Sequence, residues 1–147
     1  MSRILVVDDH AYIRRGVQSI LHALPEWELC GEADNGNDAV RLSDSLEPEV
    51  VIMDISMPGL NGIDAARAIH TNHPETKIIL LTLHENVELV RSAFRAGARG
   101  YLLKSDAETE LAAALKAVIA EESYISTRID PEVIRSVVRE INQAPRS

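Results

Sequence analysis

Short apolar runs alternate with amphipathic stretches along the first 103 residues of the chain. The runs lie at 4–7, 27–30, 50–53, 78–81 and 101–103. The first, third and fourth runs are almost wholly apolar, which is typical of strands that are covered on both faces of a sheet. The pattern therefore predicts five short β-strands.

Each predicted strand is followed by a stretch in which apolar residues recur at helical spacing. Pro25 and Pro74 end the first and third stretches, and Gly97 stands at the C-terminus of the fourth. The five apolar stripes are formed by Tyr12, Val17, Ile20, Leu21 and Leu24; by Ala39, Val40, Leu42 and Leu46; by Ile63, Ala66, Ile69 and His70; by Val87, Val90, Phe94 and Ala96; and by Leu111, Ala112, Leu115, Val118 and Ile119. A strand–helix unit repeated five times predicts an α/β fold, with a doubly wound parallel sheet between two layers of helices.

Length, charge and cysteine content exclude several classes of protein. The chain has 147 residues, with 15 basic and 23 acidic side chains and a formal net charge of −8. This length fits one domain with a short appendage, and the acidic balance argues against direct nucleic-acid binding. The single cysteine, Cys30, excludes an internal disulfide and suits a reducing compartment. No run resembles a secretory signal or a membrane span, so we expect a cytoplasmic protein.

Chemically active side chains follow four of the five predicted strands. Asp8 and Asp9 come after the first strand, Asp54 after the third, Thr82 after the fourth and Lys104 after the fifth. In a doubly wound sheet, ligands bind at the carboxyl ends of the strands. We therefore expect these side chains to converge at one edge of the sheet.

The chemistry of this set points to phosphoryl transfer. Three neighbouring carboxylates repel one another unless a cation is present, and Mg²⁺ prefers such oxygen ligands. A lysine supplies a positive charge for a phosphoryl oxygen, and an aspartate can act as the nucleophile. Taken singly, each residue has an ordinary explanation, as a turn residue, a helix cap or a solvated lysine. Their joint placement at four strand ends favours the functional interpretation.

Four stretches of the sequence resemble the receiver domain of two-component response regulators. They are 4–10 (ILVVDDH), 51–62 (VIMDISMPGLNG), 80–82 (LLT) and 97–104 (GARGYLLK). The Asp-Asp-His motif, and a lysine with no proline after it, are most similar to receivers of the LuxR/NarL/FixJ class. The resemblance implies a flavodoxin-like fold with strand order 2-1-3-4-5, in a receiver domain over residues 1–122.

The resemblance also implies a role for each site residue. Asp54 would accept a phosphoryl group from a sensor histidine kinase. Asp9, Asp54 and the backbone carbonyl of Ser56 would ligate Mg²⁺, with Asp8 assisting through water. Lys104 would pair with the phosphoryl group and Thr82 would move to hydrogen-bond it. Tyr101 occupies the switch-aromatic position and would turn inward into the space that Thr82 leaves, although the ring could instead lie at the strand edge with its hydroxyl in water.

Several neighbouring positions have less defined roles. Ser105 stands where many receivers have proline, which puts the local loop geometry in question but not the charge of Lys104. Ser56 and His84 either tune the lifetime of the phosphoryl group or merely line the rim of the cleft. For His10 we favour a rim position without a ligand role over a donor to phosphate or metal, and for Trp27 a structural role.

Residues 123–147 lie outside the strand–helix repeat. Asp130, Pro131 and Glu132 resemble a helix start. An apolar stripe follows, formed by Val133, Ile134, Val137, Val138 and Ile141. The helix could fold back on its own domain. We favour a helical linker, because LuxR-class regulators carry one before a DNA-binding output domain, which is absent from this chain.

The resemblance leaves the biological context open between two forms. The chain could be the receiver part of a LuxR-class transcriptional regulator, contacting DNA only through the absent output domain, or a natural stand-alone receiver that acts by protein–protein interaction. Phosphorylation would favour a homodimer, with the first and fifth helices as the expected surface. In either form the protein would be a signalling switch rather than an enzyme, with no membrane partner.

Three other functions are less compatible with the sequence. A haloacid-dehalogenase-type phosphatase has Asp-x-Asp after its first strand, whereas Asp8 and Asp9 are adjacent. A flavin-binding module of this topology needs a small-residue phosphate loop where these two carboxylates would repel phosphate. A degenerate receiver that signals by binding alone would not need the full set of site residues.

Overall fold

The computed structural model describes residues 2–126, 129 and 131–143, with side chains in the last segment as far as Glu140. Six parallel strands form one sheet in the order β2-β1-β3-β4-β5-β6. The strands are β1 (Ser2–Val7), β2 (Trp27–Ala33), β3 (Val50–Asp54), β4 (Lys77–Thr82), β5 (Gly100–Leu103) and β6 (Tyr124–Ile125). The predicted α/β fold and the strand order 2-1-3-4-5 are confirmed.

The described residues form six α-helices around the sheet. They are α1 (Ala11–His22), α2 (Gly36–Leu46), α3 (Gly62–Asn72), α4 (Val87–Arg95), α5 (Ala107–Ile119) and α6 (Pro131–Gln143). Helices α1 and α5 pack on one face, and α2, α3 and α4 pack on the other. Each face has its own apolar core, so β1, β3 and β4 are buried from both sides.

Local sequence explains where three of these helices begin. Asn35, Asn61 and Asn86 immediately precede α2, α3 and α4, and each side chain accepts a hydrogen bond from a backbone N–H of the first turn. Such caps satisfy donors that the helix leaves unpaired. Gly97 adopts a φ of 106° just after α4, as its predicted place at that C-terminus requires.

The sixth strand was not predicted from the sequence. It pairs with β5. Ser126, the residue that follows β6, continues this pairing, because its N–H donates to the Tyr101 carbonyl at 2.9 Å. The Ser126 hydroxyl accepts a hydrogen bond from the N–H of Leu103, also at 2.9 Å. A two-residue strand carries no apolar periodicity, so these tertiary hydrogen bonds determine it.

Helix α6 packs against α4. Arg91 of α4 donates to the Ser136 hydroxyl at 3.0 Å, and its Nε lies 3.0 Å from Glu140. Val137, in the predicted apolar stripe, and Ile129 are buried in the core beneath. The predicted cap Asp130 and the side chain of Ile141 lie outside the described residues. The division into 1–122 and a linker over 123–147 stays a prediction.

The structure also bears on the single cysteine and on membrane-spanning helices. The thiol of Cys30 is free and half-buried on β2. Among the described residues, no helix combines the length and the apolar character that crossing a membrane requires.

Candidate functional site

The carboxyl ends of β1, β3, β4 and β5 meet in one acidic pocket. Lys104 Nζ lies 2.9 Å from Asp8 Oδ2 and 3.3 Å from Asp54 Oδ1. Asp8, Asp54 and Thr82 are each at most 2% exposed. The parallel topology thus places residues that are far apart in sequence within ion-pair distance, as the strand-end pattern predicts.

Burial sets the electrostatics of Asp54. Loss of solvent raises the pKa of this carboxyl to about 6, and the negative charge of Asp8 acts in the same direction. Lys104 opposes this rise without cancelling it. Burial by itself lowers the pKa of Lys104, but its hydrogen bond to Asp8 and the charges of both carboxylates outweigh that effect and raise it. The pocket therefore carries a negative charge that one lysine does not balance.

The carboxylates of this pocket fit a hard divalent cation. Ligand atoms of Asp8, Asp9, His10 and Asp54 all lie within 4.8 Å of one another. Asp54 Oδ2 is buried and has no hydrogen-bond partner among the described residues, a costly state that a cation would relieve. The N–H of Ser56 donates to Asp54 Oδ1 at 3.2 Å. Its carbonyl as a metal ligand stays a prediction.

A chain of hydrogen bonds links the pocket to β5. The Thr82 hydroxyl accepts from the N–H of His84 at 3.1 Å. Tyr101 is fully buried, and its hydroxyl donates to the His84 carbonyl at 2.9 Å. Burial raises the pKa of Tyr101 to about 12. The aromatic ring of Tyr101 therefore lies inside the protein in this conformation. It is not a strand-edge ring with its hydroxyl in water, which was the alternative.

Comparison with known proteins decides the family. The model of the response regulator receiver domain matches residues 4–116. The chain belongs to this family. Receiver domains are signalling modules that bind Mg²⁺ in an acidic pocket, and the carboxylate cluster around Asp54 has that character.

Full-length relatives support the class within the family. The response regulator GacA of Pseudomonas viridiflava is 34% identical over 99% of this chain and 68% of its own length. UvrY of Escherichia coli K12 is 37% identical over 94% of the chain, and the transcriptional regulatory protein DegU of Brevibacillus brevis is 34% identical over 96%. The chain spans 63% of UvrY and 60% of DegU.

Solved structures agree with this assignment. A LuxR-family two-component response regulator from Aurantimonas sp. SI85-9A1 matches with a TM-score of 0.83 and 31% identity, over 97% of this chain and 99% of that one. The signal receiver domain of NarL from Mycobacterium tuberculosis matches with a TM-score of 0.73 and 34% identity, over 81% and 94% of the two chains. The predicted membership of the LuxR/NarL class is confirmed.

Two further residues of this receiver domain contact the aspartates of the pocket: His10, for which the sequence favoured a rim position without a ligand role, and Arg14, which the sequence analysis did not single out. His10 Nδ1 lies 3.1 Å from Asp9 Oδ1 and 3.3 Å from Asp8 Oδ1, rather than simply lining the rim. Arg14 Nη1 donates to the Asp8 carbonyl at 2.5 Å. Adjacency to the two aspartates could have indicated His10. Arg14 has the spacing of an ordinary helical surface residue and carried no such signal.

Proposed function

We propose that this receiver domain accepts a phosphoryl group on Asp54 from a sensor histidine kinase, in the presence of Mg²⁺. The observation that carries the proposal is the buried Asp54 carboxylate, which has one oxygen without a partner among the described residues and the other 3.3 Å from Lys104. A nucleophile held beside a fixed cation, in a pocket with further carboxylates, matches the needs of phosphoryl transfer.

The reaction is a displacement at phosphorus. An oxygen of Asp54 attacks the phosphorus of a phosphohistidine, the phosphorus–nitrogen bond breaks as the phosphorus–oxygen bond forms, and the imidazole nitrogen leaves with the electron pair. Lys104 pairs with a phosphoryl oxygen, and the Thr82 hydroxyl donates to another once it turns from the N–H of His84. Both residues stabilise charge on the transferring group.

The carboxylates of Asp8, Asp9 and Asp54, with the backbone carbonyl of Ser56, would hold Mg²⁺. When bound, the ion supplies positive charge that offsets the carboxylates and the phosphoryl oxygens. Asp8 and Asp54 are already held by Lys104, so their positions need little rearrangement.

Phosphorylation would act as an electrostatic switch. It adds roughly −1.5 to −2 charge and three acceptor oxygens next to Lys104. Movement of Thr82 toward these oxygens would break its bond with the His84 N–H, and His84 in turn holds the hydroxyl of Tyr101. The change would thus reach the surface formed by α4 and β5. Chemistry would be confined to the domain's own phosphorylation and dephosphorylation, so we do not class it as an enzyme.

The relatives suggest the setting of this switch. We propose a cytoplasmic receiver of a LuxR-class transcriptional regulator that forms a homodimer on phosphorylation and meets DNA only through an output domain. Residues 123–147 would serve as its helical linker. The dimer surface would be α1 and α5, between which a groove of about 630 Å³ opens, lined by residues that include Ile13, Ile20 and Leu24. The alternative is a stand-alone receiver that acts by protein contacts.

Intact-mass measurement after incubation with acetyl phosphate and Mg²⁺ tests the phosphorylation. The wild type should gain one phosphoryl group, Asp54→Asn should gain none, and Asp64→Asn, which alters an exposed aspartate of α3, should behave as wild type. Borohydride reduction should then convert residue 54 to homoserine, since it reduces an acyl phosphate. No gain by the wild type, or equal gain by Asp54→Asn, would refute the proposal.

A further inference from the structure

We infer that the imidazole of His10 is an additional ligand of the divalent cation in this pocket, and that it shifts the preference of the site from Mg²⁺ toward first-row transition ions. The inference rests on the metal site of the proposed function and adds to it a nitrogen donor. Imidazole suits transition ions, whereas Mg²⁺ prefers an all-oxygen environment. His10 would then determine the metal specificity of the receiver.

The distances around His10 support direct ligation. Two ligands at right angles on an ion with bonds of about 2.0–2.1 Å are roughly 3.0 Å apart. His10 Nδ1 lies 3.1 Å from Asp9 Oδ1 and 3.3 Å from Asp8 Oδ1. The distances from the ring nitrogen to both aspartates therefore match the distance between neighbouring ligands on one ion. The ligand atom of Asp54 lies within 4.8 Å of the other three ligand atoms.

Local structure holds the ring in this position. His10 directly precedes α1 in an extended conformation, and its N–H donates to Asp8 Oδ1 at 2.9 Å. Its ring makes an edge-to-face contact with Tyr12, with centroids 5.7 Å apart and planes at 63°. Nδ1 therefore faces the carboxylates, with the backbone bonded to Asp8 and the ring in contact with Tyr12.

The state of Asp54 gives an independent indication that the pocket takes a cation. This side chain is 2% exposed, and its Oδ2 has no hydrogen-bond partner among the described residues. Lys104, whose side chain is mostly buried, already contacts Asp8 Oδ2 and Asp54 Oδ1. The side chain of His10 is 53% exposed, so an ion could enter from the solvent side between it and the carboxylates.

Electron spin-echo spectroscopy of the full chain with bound Mn²⁺ tests the ligation directly. A coordinated imidazole produces ¹⁴N modulation, which we expect in the wild type and not in His10→Ala. His84→Ala is the matched control, because its backbone rather than its ring bonds Thr82 and Tyr101, and it should keep the modulation. Titration should show a loss of Co²⁺ affinity of about tenfold or more in His10→Ala, with the Mg²⁺ affinity within about twofold of wild type.

The outcomes separate this inference from the proposed function. If Mn²⁺ binds without ¹⁴N modulation, or if His10→Ala weakens Mg²⁺ and Co²⁺ equally, His10 is a hydrogen-bond partner of the aspartates and the inference is wrong. Acetyl phosphate labelling of Asp54 in Mg²⁺ would still succeed in that case. If neither metal binds and Asp54 is not labelled, the proposed function fails as well.

Discussion

The hydroxyl of Tyr101 donates a hydrogen bond to the backbone carbonyl of His84 at 2.9 Å. The bond ties β5 to the loop that follows β4. The N–H of the same His84 donates to Thr82, so one loop residue connects the buried aromatic ring with the acidic pocket. A displacement of Thr82 therefore acts on Tyr101 through His84, in addition to the direct interaction of the Thr82 and Tyr101 side chains.

Removing the hydroxyl of Tyr101 should loosen this loop. Tyr101→Phe deletes the bond to His84 but keeps the ring, and we expect it to lower the free energy of unfolding by about 0.5–1.5 kcal/mol. Urea denaturation measures this change, and hydrogen exchange should become faster in the loop after Thr82. Tyr101→Ala also loses the buried ring and should cost about 3–5 kcal/mol. Equal stabilities of the wild type and Tyr101→Phe would show that the bond is not maintained in solution.

Lys104 competes with the cation for the same carboxylates. Lys104→Met removes a positive charge that lies 2.9 Å from Asp8 Oδ2 and 3.3 Å from Asp54 Oδ1. We expect Mg²⁺ to bind several-fold more tightly to the variant, because the cation then meets less repulsion. Isothermal titration calorimetry gives the affinity. Lys116→Met, which alters an exposed lysine of α5, is the control and should bind Mg²⁺ as the wild type does. Weaker binding by Lys104→Met would contradict the expectation.

The raised pKa of Asp54 predicts a pH dependence of stability in metal-free buffer. Folding raises this pKa from 3.8 to about 6, so the folded state holds the proton more tightly. The resulting stabilisation is complete below about pH 4 and is lost as the pH rises through 6. At pH 7.5 in EDTA, Asp54→Asn should therefore be more stable than wild type by up to about 3 kcal/mol.

Thermal or urea unfolding at several pH values checks this sign. The advantage of Asp54→Asn should shrink as the pH falls toward 4, and Mg²⁺ should stabilise the wild type much more than the variant. Glu122→Gln, which neutralises an exposed side chain, should show neither effect. A variant less stable than wild type at pH 7.5 would mean that the Asp54 charge is better compensated than its surroundings indicate.

Gly97 should tolerate no side chain. Its φ of 106° disfavours other residues, and a Cβ there would collide with the ring of His70. We expect Gly97→Ala to destabilise the fold by about 2–4 kcal/mol. Gly16→Ala is the matched control, since that exposed position in α1 has open space, and it should stabilise by up to about 1 kcal/mol. Similar effects of the two changes would contradict the structure.

The contact between α4 and α6 should depend on Arg91. This side chain bonds Ser136 and Glu140, each at 3.0 Å, and Arg95 also pairs with Glu140. Arg91→Ala should speed hydrogen exchange in α6 several-fold, while the global stability changes by less than about 1 kcal/mol, since the lost contacts are partly exposed. Arg67→Ala, which breaks an exposed pair within α3, should leave exchange in α6 unchanged. Unaltered exchange in both variants would show that contacts other than those of Arg91, such as the apolar contacts of Val137, hold α6.

The sequence by itself determined the five-strand core and most of the pocket. Buried parallel strands require runs of apolar residues, and such runs are visible without a structure. Once the sheet is parallel, every strand has its carboxyl end at the same edge, so Asp8, Asp54, Thr82 and Lys104 had to converge. Chain connectivity and side-chain chemistry were sufficient for these conclusions.

Tertiary structure alone decided the features that depend on contacts between distant segments. The apolar stripe of α6 indicated which face is buried but not that α4 lies beneath it, because periodicity carries no information about the packing partner. Strand β6 exists through the bonds of Ser126 with β5, and two residues are too few to show a pattern. The orientation of the His10 ring toward Asp8 and Asp9 is likewise a tertiary feature. It goes with the ring contact to Tyr12 and the backbone bond to Asp8, and neither contact can be recognised in the sequence.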